Sequence, residues 1–211
     1  MRFDLCHLSS MKSYSQHGED TFVRELIKDC KSKFVVDVGA NDGFSWSNSY
    51  PFIQEGYSAL LIEPMPKYAQ FCREHHRENP NVFVEEVAIL PERGAVKFFV
   101  NEDTERDLLS MASSVHREGI LGDKIVEIEV QACPLSELLL KYNVPRDYAF
   151  LSVDAEGVDV EVLKTADLGN YRPHVICVEH GLKEATVKGY LEGEGYTLKQ
   201  VLGANGIYVP A

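Results

Sequence analysis

The chain has 211 residues, 45% of them hydrophobic and 26% charged, which suits one ample core and is too little for two comfortable domains. A net charge of −12 with no Lys/Arg-rich run excludes nucleic acid and anionic membranes as natural partners, and it favours neutral or cationic ligands. Five scattered cysteines without a C-x-x-C pair argue against a disulfide frame or zinc knuckle; no signal-like or bilayer-spanning apolar run is present, so the expected location is the cytoplasm.

Residues 18–30, GEDTFVRELIKDC, place Phe22, Val23, Leu26 and Ile27 on one helical face. Residues 1–31 therefore read as a helical cap or lid ahead of an α/β core at 32–211, within a single domain. KFVVDVGA is the first core strand. SNSYPFIQEG reads as a helix restarted at Pro51, SALLIEP as the second strand, KYAQFCREHHREN as a helix and NVFVEEVAI as the third strand. Then the pattern changes: RGAVKFFVNED and KIVEIEVQA alternate apolar and polar residues, as half-exposed strands do. A loop containing Ser113, Ser114 and His116 joins them. PLSELLLKYN is a short helix, YAFLSVDAEG the fourth core strand, DVEVLKTAD a helix, HVICVEHG the fifth strand and EATVKGYLEGEG a helix. Two final strands meet at the tight turn LGAN and must be antiparallel.

Alternating apolar strands and helices predict a doubly wound, mostly parallel, seven-stranded Rossmann-like sheet ending in an antiparallel hairpin, with an extra β-hairpin between the third and fourth core strands. That layout is the one used by class I methyltransferases. A dinucleotide dehydrogenase keeps its sheet parallel through the sixth strand.

After the first strand comes VDVGANDG, in which Asp37, Gly39 and Gly43 are spaced D-x-G-x-x-x-G. Glycine allows a sharp turn and close approach of backbone to ligand, and Ala40 and Asn41 complete the turn. Glu63 ends the second strand, where a carboxylate can accept hydrogen bonds from ribose hydroxyls. The G-x-x-x-G spacing departs from the G-x-G-x-x-G of pyrophosphate binders, so a nucleoside cofactor without a diphosphate fits best. S-adenosylmethionine meets these demands, its adenine expected near residues 86–88, with Val87 and Ala88 as contacts.

The fourth strand, FLSV, ends in Asp154 and Glu156, and the fifth in Glu179 and His180. Carboxyl ends of parallel strands border the ligand crevice, so these groups should converge where the transferable methyl sits. An alcohol is a weak nucleophile at neutral pH and must share its proton with a base or a metal. Two schemes stay open: Asp154 or His180 as general base, with Glu156 assisting, or Asp154 and Glu179 holding Mg²⁺ or Mn²⁺. The competing structural roles are a helix cap for Asp154 and a salt bridge for Glu156. Asp159 and Glu161 read as solvated helix residues, His75 and His76 as a solvated outer face, and Phe44 and Trp46 as packing beneath the glycine turn. YSQHGED, ahead of the fold, offers Gln16 to the cofactor and His17 to the acceptor; Ser113 and Ser114 are further acceptor contacts.

VVDVGANDG, LLIEP, VAILPERGAVKFF, ASSV, LSVDAEGVDVEVLK and PHVICVEHG together resemble, in order, the motifs of the FkbM-type S-adenosylmethionine methyltransferases. The resemblance covers about residues 14–210, its most specific part being D-x-E-G. It implies O-methylation, commonly of sugar or secondary-metabolite hydroxyls, so a small-molecule or glycan acceptor is expected and a homo-oligomer is compatible. His180 in VEH departs from the usual pattern. Three rivals remain: an NAD(P)-dependent sugar reductase or epimerase, which lacks its third glycine and Tyr-x-x-x-Lys pair here; a non-catalytic nucleoside-binding module; and an amino- or base-N-methyltransferase, which lacks its Asn/Asp-Pro-Pro-aromatic strand end.

Overall fold

A computed structural model describes residues 13–101, 113–114 and 125–211. Seven strands form the main sheet: β1 (Phe34–Val38), β2 (Ser58–Ile62), β3 (Val82–Glu85), β8 (Phe150–Val153), β9 (Val175–Glu179), β10 (Tyr196–Leu202) and β11 (Asn205–Pro210). Their spatial order is β10-β11-β9-β8-β1-β2-β3. The five strands from β9 to β3 run parallel, and β11 is antiparallel to both its neighbours. This is the doubly wound sheet with a terminal hairpin that the sequence predicts.

The strands are central because both of their faces are apolar. Val36, Val38, Leu60, Ile62, Leu151, Val153, Ile176 and Val178 share one core with α4 (Leu135–Lys141), α5 (Asp159–Lys164) and α6 (Glu184–Gly193). Val35, Ala59, Leu61, Phe150, Cys177 and Ile207 face the other way, onto α1 (Glu19–Ile27), α2 (Tyr50–Gln54) and α3 (Pro66–His75). The two-residue period of a strand does this sorting. α1 is part of that second layer: Val23 and Ile27 are fully buried, each contributing about 1.5–3 kcal/mol of apolar burial. The stretch read as a lid thus contains a structural helix, and only the residues before it reach toward the strand ends. Cys30, Cys72, Cys133 and Cys177 are free and buried, acting as small hydrophobes; Cys6 lies outside the described residues.

The expected extra hairpin is more than a hairpin. NVFVEEVAI breaks after Glu85, and Ala88–Ile89 leaves the main sheet as β4. It joins β5 (Gly94–Asn101), β6 (Ser113–Ser114) and β7 (Ile125–Cys133) in a second sheet of order β4-β7-β5-β6. Its inner face, with Ala88, Phe98, Val100, Val130 and Ala132, packs on Met65. Through Phe98 it supplies a wall of the cavity described below.

Candidate active site

Register places the acids. Val38 pairs with Val153 and Ile62, Val153 with Val178, and Ile62 with Glu85, so these five residues form one row across the sheet. One position further along, all on the same carboxyl-terminal lip, come Gly39, Glu63, Glu86, Asp154 and Glu179. A cavity of about 250 Å³ opens there. It is lined by Gln16, Gly39, Asn41, Glu63, Val87, Ala88, Asp154 and Glu156, eight of the residues named from sequence, and also by Trp46, Tyr68 and Phe98.

Gly39 is the point of closest approach. Its φ is +83°, and a Cβ built there would lie 1.9 Å from the carbonyl oxygen of Asp154. No side chain fits, so the backbone of the turn itself forms the cavity floor. The turn is fastened from below by α3. Cys72 Sγ donates to the Asn41 carbonyl at 2.9 Å, and His76 Nε2 to that of Gly43 at 3.0 Å. His75 Nδ1 reaches the Asp42 carbonyl at 2.9 Å. His76 is buried, and burial lowers its pKa, which keeps the ring neutral with its proton on the donating nitrogen. The expectation of a solvated His75–His76 face is therefore corrected for His76, while His75 is exposed as expected. The Cys72, His75 and His76 spacing of three and four, one helix face, was the readable signal.

Three predicted cofactor residues serve behind the cavity rather than in it. Asp37 lies on the α2 side of β1 and accepts a 2.5 Å hydrogen bond from Ser49 Oγ. Burial pushes its pKa up to about 6, opposed by hydrogen bonds from Ser49 and Ser152. Gly43 packs against Cys72, His76 and Leu61, and Ala40 is buried with the α1–α2 core.

Glu63 is 5% exposed and accepts backbone N–H bonds from Asn41 (2.9 Å) and Met65 (2.8 Å), one on each oxygen. Each oxygen keeps a second lone pair for a ligand hydroxyl. Burial raises its pKa to about 7 against those two bonds, with Asp37 adding repulsion. Beside it, residues 87–90 give an apolar wall, while Glu86 turns outward to Arg73 at 2.9 Å. A ribose against Glu63, an adenine against Val87–Ala88 and an amino-acid end on the glycine turn match these surfaces. The residues present fit S-adenosylmethionine.

Asp154 and Glu156 both open on the cavity and are exposed there. Asp154 and Glu179 lie side by side at the ends of neighbouring strands, near enough that each shifts the other's titration. Burial, then the charges of Glu179 and Glu156, raise the pKa of Asp154 well above the usual carboxylate range. Glu156 is pushed up to about 7 by burial and by Glu179 and Asp159. The turn that aims them is built by Asp159, whose carboxylate accepts from the N–H groups of Ala155 (2.8 Å) and Gly157 (3.2 Å). Asp159 is 4% exposed, so its reading as solvated is also corrected. Glu156 sits at φ +49°, a left-handed conformation costing about 1–2 kcal/mol in a residue with a Cβ.

His180 is buried behind Glu179, its backbone N–H bonded to the Ala204 carbonyl at 3.1 Å. Neither ring nitrogen has a hydrogen-bond partner among the described residues, and it does not line the cavity. His17 is likewise away from the cavity, over Gly203, with its Nδ1 at 3.3 Å from Glu19. Ser113 and Ser114 pair through their backbone with Val100 and Phe99, and His116 lies outside the described residues. Among the described residues no group of three or more His, Cys, Asp or Glu side chains could hold a metal ion. Asp154 and Glu179 offer two carboxylates, and the divalent-ion scheme has no third protein donor among the described residues.

Gln16 reaches the cavity because the segment around it is tied down. Asp20, fully buried, accepts from Ser13 Oγ (2.6 Å), the Tyr14 N–H (2.9 Å), Ser15 Oγ (2.8 Å) and the Thr21 N–H (2.8 Å). Glu19, also fully buried, accepts from the His17 N–H (2.8 Å) and from Asn205 Nδ2 (2.7 Å) at the start of β11.

Residues 37–198 match the profile of the methyltransferase FkbM domain. No curated protein matches the sequence. Among solved structures, the fold is similar to that of methyltransferase FkbM from Methylobacillus flagellatus KT, with 14% identity and a TM-score of 0.54 over 84% of this chain and 43% of that one. The chain thus spans less than half the length of that protein. A Staphylococcus aureus protein provisionally assigned as a caffeoyl-CoA O-methyltransferase is similar at 11% identity and a TM-score of 0.54, over 99% of this chain and 90% of that one. A Klebsiella pneumoniae protein, provisionally an O-methyltransferase, is similar at 13% identity and a TM-score of 0.51, over 97% and 86%.

Proposed function

The chain belongs to the FkbM methyltransferase family, and from that premise we propose that it transfers a methyl group from S-adenosylmethionine to a hydroxyl of a sugar or glycan. The observation that carries the reading is the row of Gly39, Glu63, Asp154 and Glu179 on one lip of the sheet, the first three of them lining one cavity. The fold neighbours provisionally named as O-methyltransferases lean the same way. When bound, the cofactor supplies an electrophilic methyl carbon on a sulfonium that leaves as a neutral thioether.

The protein's own residues do the rest. Gly39 and Asn41 take the amino-acid end, and Glu63 fixes the ribose, so the donor is held in one orientation. Asp154 is the general base. Its carboxyl, beside Glu179, has a pKa raised well above the usual carboxylate range by burial and by neighbouring acids, which makes it a stronger base than a free carboxylate. The acceptor hydroxyl donates its hydrogen bond to the ionised oxygen of the pair, and its proton moves there as the oxygen–carbon bond forms. Glu156, on the same cavity, assists, and the divalent-ion scheme lacks a third donor among the described residues.

Calorimetry with S-adenosylhomocysteine and with NAD tests the cofactor, and Asp154→Asn tests the chemistry. Expected are micromolar binding of the first, no binding of the second, and a variant that keeps its melting temperature and cofactor affinity while turnover falls about 10²–10⁴-fold. Binding of NAD alone would overturn the methyltransferase reading. Near-normal turnover by the variant would remove Asp154 from the base position.

A further inference from the structure

Among the described residues, five that are not glycine have a left-handed backbone: Asn41, Trp46, Asn143, Glu156 and Asp167. Three of the five line the one cavity. Asn and Asp adopt this conformation with little difficulty, but Trp and Glu do not, and such outliers gather at ligand clamps.

Trp46, at φ +53°, is 45% exposed. The turn around it is held on both sides. Asp42 Oδ1 accepts from the N–H groups of Phe44 (2.8 Å) and Ser45 (2.7 Å), and Ser47 Oγ from those of Ser49 (3.2 Å) and Tyr50 (3.0 Å). Phe44, nearby, packs its ring edgewise on Tyr50 at 4.9 Å and on His75 at 5.6 Å. The Trp46 ring stacks on no aromatic ring and under no cation among the described residues, yet it lines the cavity. The fold therefore strains its backbone to hold an indole where packing does not use it. This corrects the expectation that Phe44 and Trp46 lie beneath the glycine turn. The charged residues lining the same cavity are Glu63, Asp154 and Glu156, with no Lys, Arg or His among the described residues. Among the described residues of this lining, a phosphorylated or carboxylated acceptor meets only like charge.

We propose that Trp46 is the platform of the acceptor subsite, and that the acceptor is an amine-bearing ring alcohol whose ring stacks on the indole and whose ammonium is held by Glu156 and Asp154. An indole face attracts a cation and the C–H face of a saturated ring, and carboxylates complete the recognition of an ammonium. The inference rests on the methyltransferase reading and deepens it. Glu63, Gln16 and residues 87–89 serve the cofactor, leaving Trp46 for the acceptor.

Trp46 is the single tryptophan of the chain, so its emission reports on this subsite directly. The protein is first saturated with S-adenosylhomocysteine, with binding followed by calorimetry, and then titrated with glucosamine, glucose or glucose 6-phosphate. Expected is a cofactor product that leaves Trp46 open to acrylamide quenching, and glucosamine that then shields it. Glucosamine should bind about tenfold more tightly than glucose, and glucose 6-phosphate should not bind. Trp46→Ala should weaken glucosamine binding about fivefold and Trp46→Phe far less, while Glu156→Gln should abolish the preference over glucose. Shielding by S-adenosylhomocysteine alone, equal binding of the phosphate, or no response to any of the three sugars would overturn the proposal. Failure of S-adenosylhomocysteine to bind, seen by heat and independent of the tryptophan, would remove the methyltransferase reading beneath it.

Discussion

Replacing Gly39 with alanine adds a Cβ 1.9 Å from the Asp154 carbonyl oxygen, in a turn whose φ is +83°. The left-handed backbone alone costs about 1–2 kcal/mol for a residue with a Cβ. The contact must open by more than 1 Å, and the atom in the way is backbone. Relief therefore displaces the Asp154–Ala155 peptide, whose N–H donates to Asp159 Oδ1 at 2.8 Å, adding about 1–3 kcal/mol of overpacking. Gly56, at φ +86° with nothing within 4 Å of its virtual Cβ, carries the backbone penalty without the clash. For a chain of this size, where 1 kcal/mol moves the melting temperature by about 2–4 °C, Gly39→Ala should melt roughly 5–15 °C below wild type and Gly56→Ala roughly 2–6 °C. Because Asp154 moves with the peptide, methyl transfer should fall about 100-fold in the first variant and be unchanged in the second. Circular dichroism melts and turnover of the two proteins side by side check this. Equal melting temperatures and equal rates would show that the approach of the two strand ends is not tight, and the geometric argument for the site would go with it.

Two other expectations follow from buried acids. The Glu63 pKa is raised from 4.5 to about 7 in the folded protein, so between pH 4.5 and 7 the unfolded chain has released a proton that the native one keeps. Stability without ligand should accordingly fall as pH rises through that window, by on the order of 3 kcal/mol. Affinity for S-adenosylhomocysteine, whose ribose needs the carboxylate, should instead rise up to tenfold per pH unit and level off above pH 7. Calorimetry from pH 5 to 8 checks it, and an affinity that is flat with pH in the wild type, or equally steep in Glu63→Gln, contradicts it. Asp20→Ala strips the acceptor from four donors and should release residues 13–18, costing about 2–4 kcal/mol locally and weakening cofactor product binding through Gln16. Hydrogen exchange should then speed up at Tyr14 and its neighbours while β1 and β8 stay protected; unchanged exchange there would mean the strap is held by something else.

Much of the site could be read from residues because strand identity is local. Apolar β-branched runs stopped by Gly, Pro or acid put Glu63, Asp154 and Glu179 at strand ends, and the parallel order required by strand–helix alternation then puts all three on one lip. Gly39 was legible for the same reason, since a glycine between a strand and a helix has few other uses. What burial does to a polar residue was not legible, because it depends on which distant element covers it. His76 became buried when α3 closed under the glycine turn, Asp159 when its carboxylate folded back on its own turn, and Asp37 when the two-residue strand period pointed it to α2 instead of the cavity. The break after Glu85 that sends β4 into a second sheet was likewise settled by pairing with β7, 40-odd residues away. Sequence alone determined that this is a parallel sheet whose ends carry a glycine turn and a row of acids. Tertiary packing decided which of those acids face a ligand and which face the core, and it set Trp46 in the open, because exposure is a property of neighbours that the local chain does not contain.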